Sequence, residues 1–186
     1  MKQENSTLRS VWSVIGLNMG WFACVFGAAR EVHWLGVIIV LFLGVIHVFV
    51  AGKQKLLPAI LLGLASLMVG LVLDTTLIAA GAYTPNRWLI PTPITTIWLF
   101  MLWINFSLAL NESLKWFQAH LFVAAILGSI FGPFAYLGAS RLGAIQLASP
   151  VLISLVHVGA AWLIAMPLMS LTAKSLYHRP WRFPNK

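Results

Sequence analysis

Four side chains that could do chemistry stand within or beside long apolar segments: Asp74, Tyr136, Arg141 and His157. The chain has only four acidic residues, and Asp74 is the one that lies inside an apolar segment. A charge within a membrane is costly, so Asp74 should face protein or water and find a partner. At 1.5 Å per helical residue, all four side chains fall at similar depth in the outer half of a bilayer. We therefore predict an outer polar site, in which depth makes Arg141 the natural partner of Asp74.

Three functions remain open for this outer site. In the first, Arg141 holds an anionic lipid headgroup while Asp74 orients it or accepts a proton, so that the protein binds or helps to process a lipid or another apolar molecule. In the second, Asp74 titrates during transport of a small solute or of protons. In the third, the protein only anchors an enzyme partner through its basic cytoplasmic face. The alternative interpretation of the outer site itself is a structural ion pair of Asp74 and Arg141 with two satisfied neighbours.

A second polar cluster is predicted toward the opposite membrane face, and its members are His47, Asn105, Asn111 and Glu112. Asn105 and Glu112 share one helical stripe because they are seven residues apart. A solvated charged loop is the alternative interpretation of the group around Glu112. The histidines of the chain show no paired ligand spacing, so neither a metal nor another cofactor is expected.

Composition excludes a soluble domain as the fold class. Of 186 residues, 60% are hydrophobic and 9% are charged, whereas about a quarter are charged in a typical soluble protein. A membrane span needs roughly 20 apolar residues. The sequence therefore predicts a single all-α membrane domain over residues 1–186, a polytopic transmembrane helix bundle. Its six spans are predicted at about 11–29, 34–51, 56–82, 94–110, 121–139 and 150–171.

Basic residues give the orientation. With the N-terminus inside, nine Lys and Arg residues fall on the cytoplasmic side and three on the other. This bias follows the positive-inside rule, and it places both termini of a multi-pass membrane protein in the cytoplasm. The net charge of +8 is thereby assigned to segment ends that meet membrane lipids, and no nucleic acid partner is expected.

Small residues predict how the helices pack. Gly16 and Gly20 form one GxxxG pair, and Gly128 and Gly132 form another just before Pro133. Such faces let helices approach closely, within the bundle or in a homodimer. Pro133 removes one backbone hydrogen bond, so a kink is expected, or alternatively a broken helix that exposes backbone groups.

No familiar catalytic motif is present: the sequence has no GxxxxGK[ST] loop, GxGxxG fingerprint, GxSxG elbow or HExxH helix. Whether the protein is an enzyme is therefore left open by the motifs.

Four segments carry a family resemblance: GWFACVFGAA, GLVLDTTLIAAGAY, IWLFMLWINFSLALNESLKW and LGSIFGPFAYLGASRLGA. Together they resemble an uncharacterised family of short bacterial inner-membrane proteins, a domain of unknown function with a GPxxYxxxxRLG motif. In this chain the motif runs from Gly132 and Pro133 through Tyr136 and Arg141 to Gly143. The resemblance implies no activity, substrate or cofactor. It implies a lipid connection only by association, with a fatty-acyl-modifying enzyme as partner.

Overall fold

The structure is a computed structural model that describes residues 2–52, 55–86, 90, 91 and 93–178, with side chains for residues 9–177 of these ranges. Its main elements are six α-helices: α1 (Lys2–Ala29), α2 (Trp34–Ala51), α3 (Leu56–Ala79), α4 (Ile97–Leu110), α5 (Leu121–Arg141) and α6 (Val151–His178). Five of them are long and apolar enough to cross a membrane, and α4 is a shorter apolar helix. The structure thus confirms the helical membrane class.

Helix α4 lies at the centre of the bundle. It packs against α1, α2 and α3, while α5 and α6 form the most extensive helix pair. Because α4 is surrounded, its apolar side chains are buried around most of its circumference, including Trp98 and Trp103. A helix that is hydrophobic on all faces is typical of such an interior position. Its length of 14 residues corresponds to about 21 Å, and it begins at Ile97 rather than at the predicted Ile94.

Two short strands close one end of the bundle, and no pattern in the sequence predicts them. Strand β1 (Tyr83–Pro85) pairs antiparallel with β2 (Ile145–Leu147), with Tyr83 opposite Leu147. Helix α3 therefore ends at Ala79, before the predicted Ala82, since Gly81 turns the chain with a φ of 71° into β1. The pair connects the end of α3 to the end of α5.

The glycines of α5 allow close contact with α6. A Cβ atom on Gly128 would lie 2.6 Å from Cβ of Met166, and one on Gly132 would lie 2.4 Å from the indole of Trp162. Any larger residue at either position would collide with α6. Helix α5 continues through Pro133 to Arg141, so it is not broken there.

Candidate functional site

The centre of the site is the carboxylate of Asp74, which is fully buried on α3. Its Oδ1 accepts hydrogen bonds from the hydroxyl groups of Tyr83, at 2.8 Å, and of Tyr136. Its Oδ2 accepts a hydrogen bond from the indole N–H of Trp103 at 2.7 Å. Three side chains from β1, α4 and α5 thus converge on one residue of α3.

Local features of the sequence explain how these donors reach Asp74. Gly70 lies one turn before Asp74, and a Cβ atom there would lie 2.1 Å from the ring of Trp103, so only glycine leaves room for that indole. Strand β1 brings Tyr83 back over the end of α3. There its ring packs edge to face against Tyr136, with the ring centroids 5.2 Å apart. Aromatic pairs favour this arrangement.

Neutral donors, and no cation, surround the carboxylate in the part of the chain that the structure describes. Three donors suit an ionised carboxylate, which only accepts hydrogen bonds. Burial raises the pKa of the Tyr83 hydroxyl well above its usual value of 10, and the neighbouring Asp74 raises it further. The Tyr83 hydroxyl therefore keeps its proton at neutral pH and donates its hydrogen bond to Asp74.

The predicted pair of Asp74 and Arg141 is not formed. Arg141 is exposed at the last turn of α5, and Asp74 makes its hydrogen bonds to the two tyrosines and to Trp103 instead. Depth along a helix gives no information on the direction of a side chain, which is why it could not predict these partners. His157 is exposed on α6. Of the four residues of the predicted outer site, the structure brings only Asp74 and Tyr136 together.

The predicted inner cluster is divided among several contacts. Asn105 is buried, and its Nδ2 donates to the carbonyl oxygen of Leu17 on α1 at 2.8 Å. Asn111 accepts a hydrogen bond from Nε2 of Gln118 at 2.9 Å. His47 is half-buried on α2 and lies within electrostatic range of Glu112. Asn105 and Asn111 thus make separate contacts, whereas His47 and Glu112 lie close enough to interact.

Glu112 is half-buried among basic residues. Burial lowers the pKa of Lys55, and the charge of Glu112 partly offsets this effect. The ammonium of Lys55 lies 3.2 Å from the centroid of the Tyr177 ring, a close cation–π contact. Lys55, Glu112 and Tyr177 thus form a charged corner of the bundle.

A cavity of about 660 Å³ lies between α1, α4 and α5, with Trp162 and Met166 of α6 at its back. Tyr136 and Trp103, the donors to Asp74, form part of its wall. Its lining side chains are otherwise mostly apolar, and none of those in the described ranges is charged. Exposed phenylalanines lie at its rim, Phe22 on α1 and Phe131 and Phe134 on α5.

Sequence reasoning missed Tyr83 and Trp103 as partners of Asp74. Both lie within the segments that carry the family resemblance, GLVLDTTLIAAGAY and IWLFMLWINFSLALNESLKW. A buried carboxylate can be satisfied by neutral donors as well as by a cation, so phenol and indole groups in those segments were the available signal. Among the residues that the structure describes, no group of three His, Cys, Asp or Glu side chains could hold a metal.

The fold and site define a helical protein of membrane type, in which long apolar helices pack around a shorter one and neutral donors hold a buried carboxylate. Residues 10–168 match the family described as protein of unknown function (DUF2878), and the chain belongs to this family. The expected membership of a domain of unknown function is thereby confirmed. No curated protein and no solved structure matches the chain.

Proposed function

We propose that the protein binds an apolar, chain-like molecule taken from the lipid bilayer, in the cavity between α1, α4 and α5. The cavity itself is the observation that carries the proposal. Its volume of about 660 Å³ lies in the range of small-molecule sites, which are mostly apolar with a few polar groups. It follows α5 from Leu127 to Ala139, about 18 Å at 1.5 Å per residue. Such an elongated shape suits an extended hydrocarbon chain.

The route of entry also supports a ligand from the membrane. The rim residues Phe22, Phe131 and Phe134 are exposed, and they lie on two helices that are long and apolar enough to cross a bilayer. An apolar molecule can therefore pass between α1 and α5 without leaving the hydrocarbon region.

In this proposal Asp74 is a positioning residue. It does not line the cavity, but Tyr136 and Trp103 do, and both donate to its carboxylate. A side chain held by such a hydrogen bond loses little further freedom when a ligand packs on it, so a preformed wall favours binding.

For topology, we propose six spans in the bacterial inner membrane, with α4 as the fourth and both termini in the cytoplasm. The distribution of nine basic residues against three supports this orientation. The short length of α4 is compatible with a span because other helices enclose it.

The test is photochemical crosslinking in lipid nanodiscs with an alkane that carries a diazirine, followed by peptide mass spectrometry. In the parent protein we expect crosslinks at Leu102 and Ala135, which face the cavity. Leu127→Trp should reduce them, because Leu127 lines the cavity and the larger indole would occupy part of its space. Leu168→Trp is the matched control, since Leu168 is exposed on α6 outside the cavity. Equal crosslinking of Leu102 and Ala135 in both variants would contradict the proposal.

A further inference from the structure

Two amide side chains lie in the mostly apolar wall of the cavity, Asn18 on α1 and Asn105 on α4. Asn18 lies nine residues into the apolar stretch Arg9–Ala29, about 14 Å along a helix. The two are neighbours because Nδ2 of Asn105 donates to the carbonyl oxygen of Leu17, the residue before Asn18. Their function is not explained by the Asp74 network, which lies elsewhere on the wall.

Most of the hydrogen-bonding capacity of these amides is unused within the described residues. Asn18 is exposed, and its Nδ2 donates only to the carbonyl oxygen of Val14 in its own helix, at 2.8 Å. An amide offers two N–H donors and a carbonyl oxygen with two lone pairs. Polar groups in apolar surroundings are costly unless they find partners, and polar side chains inside membranes mark binding sites or pathways.

The absence of charge limits what these amides can bind. No Asp, Glu, Lys, Arg or His side chain in the described part of the chain lines the cavity. A carboxylate, phosphate or ammonium group on the ligand would thus be buried without a counter-ion, which costs more than burying a hydroxyl group. An amide can both donate to and accept from a single hydroxyl.

We propose that the bound molecule is a long-chain compound with an uncharged hydroxyl group, which Asn18 and Asn105 bind at the cavity wall. This inference rests on the proposed function, because it names the polar group of the same ligand. It differs from a pure hydrocarbon site, and from a site for a charged lipid headgroup.

The experiment is competition against the diazirine alkane, read at the Ala135 crosslink in nanodiscs. The competitors are a long-chain alcohol, the alkane and the carboxylate of equal chain length. We expect the alcohol to compete at about fivefold lower membrane mole fraction than the alkane, the effect of one hydrogen bond. In Asn18→Leu this preference should fall, because one of the two amides that bind the hydroxyl is lost. This variant should fold, because the side-chain bond it removes lies within α1.

Two further variants test whether the preference for the alcohol depends on an amide group at position 18. Asn18→Gln keeps an amide and should restore part of the preference for the alcohol, whereas Met19→Leu, exposed beside Asn18 and outside the cavity, should leave the preference unchanged. Crosslinking at Ala135 with equal competition by alcohol and alkane in the parent would overturn this inference alone. Strongest competition by the carboxylate would also overturn it. No crosslink at Ala135 in the parent would contradict the proposed function as well.

Discussion

The hydrogen bond between Trp103 and Asp74 should appear as a coupling free energy in a double-mutant cycle. The cycle combines Asp74→Leu with Trp103→Phe. In the parent, Trp103→Phe removes the indole N–H, whose Nε1 lies 2.7 Å from Oδ2 of Asp74. In the Asp74→Leu background, the same substitution removes a donor that has already lost its acceptor. Hydrogen bonds to charged groups contribute about 1.5 to 3 kcal/mol, and couplings measured inside membranes are smaller. We expect a coupling of about 1.5 kcal/mol.

The assay is unfolding in mixed detergent micelles, followed by tryptophan fluorescence and circular dichroism, which gives the free energy of unfolding of each variant. Trp98→Phe provides the matched control cycle, because Trp98 also lies on α4 and is buried, but donates to the carbonyl oxygen of Asn86 at 2.9 Å. Its coupling to Asp74→Leu should be close to zero. A coupling below about 0.5 kcal/mol for Trp103, or an equal one for Trp98, would refute the assignment of neutral donors to Asp74.

Three further measurements test other contacts. Arg141→Ala should change the free energy of unfolding by less than about 0.5 kcal/mol, because Arg141 is exposed. A large loss of stability would instead support an ion pair between Arg141 and Asp74. Gly132→Ala should destabilise by about 2 kcal/mol through its collision with Trp162, whereas Gly44→Ala, with nothing within 4 Å, should stabilise by about 0.5 to 1 kcal/mol; equal effects would argue against the α5–α6 contact. The raised pKa of Tyr83 means that unfolded chains lose this proton near pH 10 while folded chains keep it, so its contribution is present below pH 10 and lost as the pH rises further. Stability measured above pH 10 should therefore fall more steeply in the parent than in Tyr83→Phe, and parallel curves would contradict the buried hydroxyl.

Much of the fold could be predicted from the sequence, because apolar runs of membrane length are a strong signal. The helix ends were less predictable. Helix α3 ends early because Tyr83 pairs with Leu147, a contact across 64 positions that no local pattern shows. The two short strands could not be predicted from the sequence either, since three residues are too few to establish an alternation of buried and exposed side chains.

Asp74 could be singled out because it is an acid in an apolar run, but its partners could not. Rise per residue gives the depth of a side chain, and it gives no information on which neighbouring helix that side chain faces. Arg141 is exposed, whereas Tyr136, five residues earlier on α5, is buried against the carboxylate. The approach of Trp103 depends on how α4 is rotated against α3, which only the packed bundle determines.

The positions of the donors along the chain have a consequence for biosynthesis. The carboxylate on α3 emerges from the ribosome before all of its partners: Tyr83 follows within nine residues, Trp103 within 29 and Tyr136 only after 62. Helix α3 must therefore be inserted into the membrane before its acidic group is fully satisfied. The set of three donors to Asp74 is complete only after α5 has been synthesised. The buried acid therefore makes stable packing of α3 depend on a helix that is synthesised later.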